Sequence, residues 1–228
     1  MLGRIRIAAV AGCLAACTSL PKGDGSPRPD HILLGAADLE LAVHSVMEQT
    51  GARAARGGSH PGLGTRNALL SLGDGSYLEI IAPDPAQEAT AFSRELAALK
   101  SPTPIGWAIR ADDLDAVNAR LVAANVPVGT VEPGSRRLPN GALLEWRAME
   151  LEVSDPIAPF FIAWGRSTVH PARHAPAGCR ADDVHLGGAV SDALAEALKA
   201  GGEAWILRPG APSGLHFALV CPGGTMRF

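Results

Sequence analysis

Aromatic residues are scarce in this chain: five Phe, four Trp and one Tyr among 228 residues, or 4%. That poverty argues against a stacking platform for single-stranded nucleic acid or carbohydrate. Charge of one sign is also missing. Twenty Lys and Arg face 23 Asp and Glu, a formal net charge of -3, so no global basic field exists to attract a polyanion, and no nucleic-acid partner is expected. No apolar run reaches the roughly 20 residues that a membrane-spanning helix needs. No Gly-x-Ser-x-Gly elbow is present, and the Gly187-Gly188 and Gly201-Gly202 pairs lack the context of a nucleotide-binding loop. What remains is a chain with 47% hydrophobic residues, enough for a core and inconsistent with intrinsic disorder. Its 26 Gly and 18 Pro imply many turns and short elements.

The first 28 residues read as an address. Arg4 and Arg6 precede the short apolar run Ile7–Ala16, which is the layout of a secretory signal. Leu14-Ala15-Ala16-Cys17 resembles a bacterial lipobox, in which the chain is cut before the cysteine and the Cys17 thiol is lipidated. The expected location is then the cell envelope on the periplasmic side, tethered to the membrane through residues 18–27; the alternative is a cytoplasmic protein with a misread start. Cys179 and Cys221 either pair in an oxidising compartment or sit buried as small apolar residues.

The body of the chain repeats an order of elements. Asp30-His31-Ile32-Leu33-Leu34 reads as a strand, and Asp38 is placed to cap a helix whose apolar face is Leu39, Ala42, Val43, Val46 and Met47. Gly57-Gly58 and Pro61-Gly62 mark a loop. Asn67–Leu72 and Tyr77–Ile81 form a hairpin around Gly73-Asp74-Gly75-Ser76. The order returns with a strand at Ile105–Ile109, a helix capped by Asp112 or Asp113 with Leu114, Val117, Leu121 and Ala124 inward, a short strand at Pro127–Val131, and strands at Leu143–Val153 and Pro159–Trp164. Asp38-Leu39 and Asp113-Leu114 lie 75 residues apart. Phe92, Leu96 and Leu99 suggest a helix linking the two copies. A weaker third copy has strands at Asp183–Leu186, Ala204–Leu207 and Leu215–Cys221, with a helix carrying Val190, Leu194, Ala197 and Leu198. Such duplication implies units that bury a face against one another. The expected fold class is α+β, with paired βαβββ modules at 29–84 and 104–170, a linking helix at 85–103 and a partial third module at 171–228.

Several stretches carry a family resemblance. His31, Asp38-Leu39, the run from His60 to Leu69, Tyr77–Pro83 and Pro159–Trp164 together resemble the glyoxalase-like branch of the vicinal oxygen chelate superfamily. The resemblance implies curled mixed sheets around a shared cleft. In that family a His and a Glu from each module hold a divalent metal, which binds vicinal oxygens of a substrate and supports lyase, isomerase or dioxygenase chemistry.

Strand alternation sorts the side chains without the family. Tyr77, Glu79 and Ile81 share one face of a strand; Asn67, Leu69 and Ser71 share one face of its neighbour; the fully aliphatic faces should pack on helices. The faces with His31, Asn67, Ser71 and Glu79 should line the cleft. His31 and Glu79 are therefore the expected catalytic or metal-binding pair, with His60 as a third donor. Asn67, Ser71, Tyr77 and Trp146 are the candidate ligand contacts. Trp107 and Trp164 fall on the helix-facing parity, while Arg66 is expected to face solvent and His185 and His216 to be ordinary strand residues. The second copy departs from the family pattern: the 75-residue offset places Gly106 at the His31 position, and Ala163 stands where the second carboxylate is expected. Two functional classes follow. One is a metal-dependent enzyme in which Glu79 binds the ion or, if burial lifts its pKa toward neutrality, abstracts a proton. The enzyme would act on a small oxygenated substrate; the other class is a metal-free module that holds a small apolar or aromatic ligand without turnover, or a lipoprotein scaffold. A homodimer that completes the cleft walls is a further expectation.

Overall fold

The computed structural model describes residues 29–73, 75–138, 141–155, 157–201 and 206–228. The export segment, Cys17 and the start of the expected strand at Ala204 lie outside the described residues.

The first copy contains β1 (Pro29–Gly35), α1 (Leu39–Thr50), β2 (Ala55–His60), β3 (Thr65–Gly73) and β4 (Ser76–Pro83). The linking helix is α2 (Ala91–Ala97). The second copy contains β5 (Thr103–Arg110), α3 (Leu114–Ala123), β6 (Val128–Arg137), β7 (Leu143–Leu151) and β8 (Phe160–Trp164). Both helices start where expected: Asp38 accepts a hydrogen bond from the Leu41 amide, and Asp113 from that of Ala116. Leu39, Ala42, Val43 and Val46 are buried on α1, as are Leu114, Val117 and Leu121 on α3.

The ten strands' worth of sequence signal resolves into two sheets. Eight strands form one curled sheet in the order β2-β3-β4-β1-β5-β8-β7-β6. Each copy supplies four strands wired alike, with its first strand parallel to its last, and the copies join through antiparallel β1 and β5. Aliphatic faces on one side of the sheet (Ile32, Leu34, Ala68, Leu70, Leu78, Ile80) pack on the helices, so the other side is left concave.

Gly57-Gly58, expected in a loop, instead lie inside β2. Two contacts explain why they are glycines. A Cβ on Gly57 would sit 2.2 Å from the Asn67 Oδ1, and one on Gly58 2.7 Å from the Arg137 carbonyl oxygen. Arg136 Nη1 donates to the Gly57 carbonyl at 2.9 Å, so the two edge strands of the sheet approach each other and the concave side is walled within one chain.

The third unit contains a 3-10 turn at Pro171–Arg173, then β9 (Arg180–Gly187), α4 (Asp192–Gly201), β10 (Leu207–Arg208), β11 (Gly214–Cys221) and β12 (Gly224–Arg227). Its strand order, β10-β9-β11-β12, differs from that of the first two units: β9 pairs with the strand that follows its helix rather than with the last strand. It therefore shares their order of elements along the chain but not their wiring. β12 gave no sequence signal, being four residues of mixed character. Leu186, Leu194, Leu198, Leu215, Phe217 and Leu219 join the same core as α1 and α3, on the helix side of the large sheet. Cys179 and Cys221 form a disulfide with a Cα–Cα distance of 4.3 Å, tying the start of β9 to the end of β11. Closing a loop of this length, 42 residues apart in sequence, contributes about 4 kcal/mol in the chain-entropy picture.

Candidate functional site

The concave side of the first copy gathers polar groups that are unusually buried. β1 contains a bulge: Pro29 pairs with Ile109 and His31 with Ala108, so Asp30 has no partner across the ladder. A bulge puts consecutive side chains on one side of a sheet. Asp30, only 1% exposed, therefore turns to the concave side beside His31. His31 Nδ1 donates to Asp30 Oδ1 at 2.8 Å; Arg110 Nε donates to Oδ2 at 2.6 Å; Trp164 Nε1 donates to Oδ2 at 3.1 Å. His170 Nε2 lies 3.0 Å from the same oxygen. The same Nε2 lies 2.9 Å from Arg110 Nη2, and the Ala172 amide donates to His170 Nδ1, so the ring sits between the Asp30 carboxylate and the Arg110 guanidinium. Burial alone would raise the Asp30 pKa. The hydrogen bonds from His170 and His31 and the charges of His31 and Arg110 outweigh it and hold this carboxyl far below the usual carboxylate range.

His31 also reaches Glu79. Its Nε2 is 3.7 Å from Glu79 Oε2, and its ring stacks on Tyr77 with centres 4.7 Å apart. Asn67 Nδ2 donates to Glu79 Oε1 at 2.8 Å and lies 3.2 Å from His60 Nε2. His60 Nδ1 meets Thr65 Oγ1 at 2.9 Å, and its Nε2 is 3.5 Å from Glu79 Oε1. The expected trio of His31, Asn67 and Glu79 is thus brought together, and His60 joins it from the last position of β2 rather than from a loop. Glu79 is 8% exposed. Burial pushes its pKa up, but the His60 and His31 charges, the Asn67 hydrogen bond and Arg136 outweigh that push, and the pKa falls below the ordinary Glu value. Proton abstraction by Glu79 is tied to a carboxyl lifted toward neutrality; its partners here push the pKa in the opposite direction. Burial lowers the His60 pKa, Glu79 opposes that, and Arg136 and His31 reinforce it.

Other candidates sit differently. Ser71 and Tyr77 do belong to the concave face, but the segment around Pro171–Pro176 covers them: the Ser71 amide donates to the Pro176 carbonyl, and Tyr77 packs with Leu69 and Ala172. They form a floor rather than a free wall. Burial, with Glu79 and Asp30 nearby, raises the Tyr77 pKa well above its usual value. Trp146 is half-buried on the concave side against Trp164, ring centres 5.7 Å apart. Trp164 itself was expected to face the helices. The hydrogen bond from its indole to Asp30 puts it on the concave side instead, and the helix-side parity of β8 belongs to Phe161 and Ala163. Trp107 is in the core as expected.

The second copy's equivalents follow from the backbone. The Ala36 amide donates to Ile81 and the Ala111 amide to Ile162, at matching positions 75 residues apart. Stepping back two residues pairs Glu79 with Phe160, not with Ala163, and the sheet register pairs Asn67 with Ala148. His31 corresponds to Gly106. Phe160 packs edge-on against the His31 ring, centres 5.4 Å apart. A Cβ at Gly106 would meet nothing within 4 Å, so a side chain has room there. The second copy thus supplies space and apolar contact but no donor. Among the described residues, no three His, Cys, Asp or Glu side chains are placed to hold a metal ion. His60 Nε2 is already engaged by Asn67. The donors present do not fit the divalent-metal centre that the resemblance implied, which needs ligands from both copies.

Sequence reasoning missed Asp30, Arg110, His170 and Arg136. Arg136 is 4% exposed and acts by charge on Glu79, His60 and Tyr77. It was hidden because the strand β6 is longer than its apolar signal, which ends at Val131. Asp30 was hidden because strict alternation places it opposite His31, and only the bulge reverses that.

Comparisons with known proteins agree with this architecture. Residues 30–202 match the family described as a glyoxalase-like domain. A hypothetical protein from Staphylococcus aureus superimposes with a TM-score of 0.56 at 15% identity, covering 88% of this chain and 85% of its own. Methylmalonyl-CoA epimerase from Mycobacterium tuberculosis gives 0.46 at 22% identity, over 59% of this chain and 86% of the epimerase. A variant of the Streptomyces coelicolor methylmalonyl-CoA epimerase gives 0.45 at 23%, over 60% and 96%. No curated protein matches significantly.

Proposed function

We infer the function from one premise: this chain belongs to the glyoxalase-like domain family, within the vicinal oxygen chelate superfamily. The family sets where ligands go, and the side chains set what can be done there. Our reading is that the first-copy cluster binds a small oxygenated molecule directly, without a metal ion.

The observation that carries it is the pair formed by His31 Nε2 and Glu79 Oε2. They stand 3.7 Å apart on the concave side of the sheet, with side chains 4% and 10% exposed. The other Glu79 oxygen is already engaged by Asn67, and the other His31 nitrogen by Asp30. A hydroxyl can donate a hydrogen bond to Glu79 Oε2, and its oxygen can accept one from His31 Nε2 when the ring is an imidazolium with hydrogen on both nitrogens. Arg136 adds a buried positive charge, which favours a ligand that also bears a carboxylate. A small 2-hydroxy or 2-oxo acid combines these features. The lowered Glu79 pKa makes it a weak base, which favours binding over proton abstraction.

The test is calorimetric titration with glycolate, lactate and pyruvate, and with their methyl esters. Saturable binding of the acids is expected, weakened at least tenfold by Glu79→Gln and losing its preference for acid over ester in Arg136→Gln. Equal binding by wild type and Glu79→Gln would overturn the reading.

We also propose that the protein is exported and anchored through lipidated Cys17. The Cys179–Cys221 disulfide supports this, because such bonds persist in oxidising compartments. Since β2 and β6 meet within one chain, the binding reading needs no second copy to wall the cleft.

A further inference from the structure

We propose that His185 and His216, on the outward face of the second sheet, form a two-histidine site for a divalent transition-metal ion. This site is independent of the cleft. The two residues are direct partners across the antiparallel pair β9 and β11. Their ring centres lie 5.2 Å apart, with the planes tilted by 31°. The neighbours Leu186, Leu215 and Phe217 point into the core, so the imidazoles share the opposite face.

The hydrogen bonds fix which nitrogen is available. His185 Nδ1 lies 2.8 Å from the Asp183 carbonyl oxygen, and His216 Nε2 lies 2.9 Å from that of Pro212. A carbonyl only accepts, so each of these nitrogens carries its hydrogen. In the neutral rings the lone pairs are then on His185 Nε2 and His216 Nδ1, which meet no hydrogen-bond donor among the described residues. Tying the far ring N–H to a backbone carbonyl is how metal-binding histidines are held in tautomer and orientation. The spacing also suits one ion: two imidazoles bound tetrahedrally at about 2.0–2.1 Å have ring centres roughly 5 Å apart.

The backbone around the pair is shaped to hold it. Asp183 takes a left-handed conformation (φ 55°), which turns its carbonyl toward the ring two residues on. Its carboxylate accepts from Arg208, which keeps the turn in place. His185 is 11% exposed in its side chain, so the ring is packed but reachable. Two protein nitrogens leave the remaining positions to water. That is consistent with the lack of any three-residue metal cluster among the described residues. The alternative is that the rings merely pack as a cross-strand pair.

Zn²⁺ and Cu²⁺ titrated into tag-free, disulfide-intact protein decide between these. One equivalent of each ion is expected to bind, Cu²⁺ more tightly than Zn²⁺. His185→Gln or His216→Gln should weaken binding at least tenfold and abolish the metal-induced rise in melting temperature, with the circular dichroism unchanged. Imidazole ¹⁵N signals of His185 Nε2 and His216 Nδ1 should move on adding Zn²⁺. His31→Gln with Glu79→Gln should leave binding intact, which separates this site from the cleft. Absence of binding, or binding indifferent to both single substitutions, would overturn the proposal.

Discussion

The two halves of the large sheet bulge at equivalent places and use the bulge for opposite ends. In β1 the extra residue is Asp30; in β5, 75 positions later, it is Ile105, lying between the pairs Leu33–Gly106 and Leu34–Pro104. The neighbours also correspond. Arg110 reaches across to Asp30, while its counterpart Gly35 leaves room for Ile105, whose side chain would crowd any Cβ there at 2.8 Å, beside Leu96 and Leu99. The first half thus puts an ion pair where the second puts an apolar plug. The same split runs through the site: His31 against Gly106, Glu79 against Phe160, Asn67 against Ala148. Backbone geometry is duplicated, and the chemistry sits on one side of the pseudo-symmetry axis.

That contrast can be broken experimentally. The largest effect is expected at the bulges. Asp30→Ala strips a buried partner from Arg110 and His31 and should cost about 3–5 kcal/mol in denaturant unfolding. Ile105→Val removes one methyl and should cost about 1 kcal/mol. Equal losses would mean that the polar bulge is not a special support.

Next comes a gain in the second half. Gly106→His with Phe160→Glu, made in a His185→Gln background, should create a four-ligand set and bind Zn²⁺ at least a hundredfold more tightly than the background protein. Gly106 has the room for it. No gain would show that the halves differ in more than these side chains.

Acid should act through the first half. A His whose folded pKa is depressed takes up its proton more readily when unfolded, so His60 removes stability as pH falls below 6.5. Glu79 and Asp30 have lowered folded pKa values, so their contribution is present above 4.5 and 3.8 and is lost as pH falls through the folded values. Stability should decline from pH 6.5 downward and more steeply below 4.5, as read by urea midpoints. Glu79→Gln should flatten the lower part of that curve. An unchanged curve would contradict the assignment.

The smallest effect concerns what the halves share. Asp38→Ala and Asp113→Ala each remove one helix cap and should each cost about 1 kcal/mol. Markedly unequal losses would argue against an equivalent backbone.

Much of this was legible in the sequence because it is periodic. Asp38 and Asp113 mark the helix starts, the aliphatic strand faces mark the core side, and alternation puts His31, Asn67 and Glu79 on one face. The failures have a common physical origin. Alternation assumes an uninterrupted ladder, so the bulge at Asp30 and the starting register of β8 were invisible, and with them Asp30, Trp164 and the true counterpart of Glu79. Gly57-Gly58 read as a loop because glycine signals turns more often than close strand contact; what they accommodate, Asn67 and the β6 edge, is distant along the chain. The direction of the Glu79 pKa depends on His60 and Arg136, which only the closed sheet brings near.

The most direct test follows the His31 imidazole and the Glu79 carboxyl by NMR while glycolate is added to the wild-type protein at neutral pH. The result expected is an ionised Glu79 carboxyl whose signal shifts together with His31 Nε2 along one saturable curve, with the Cys179–Cys221 region unmoved. A protonated Glu79, or glycolate-dependent shifts that bypass both residues, would contradict a binding site built on the first half of the sheet.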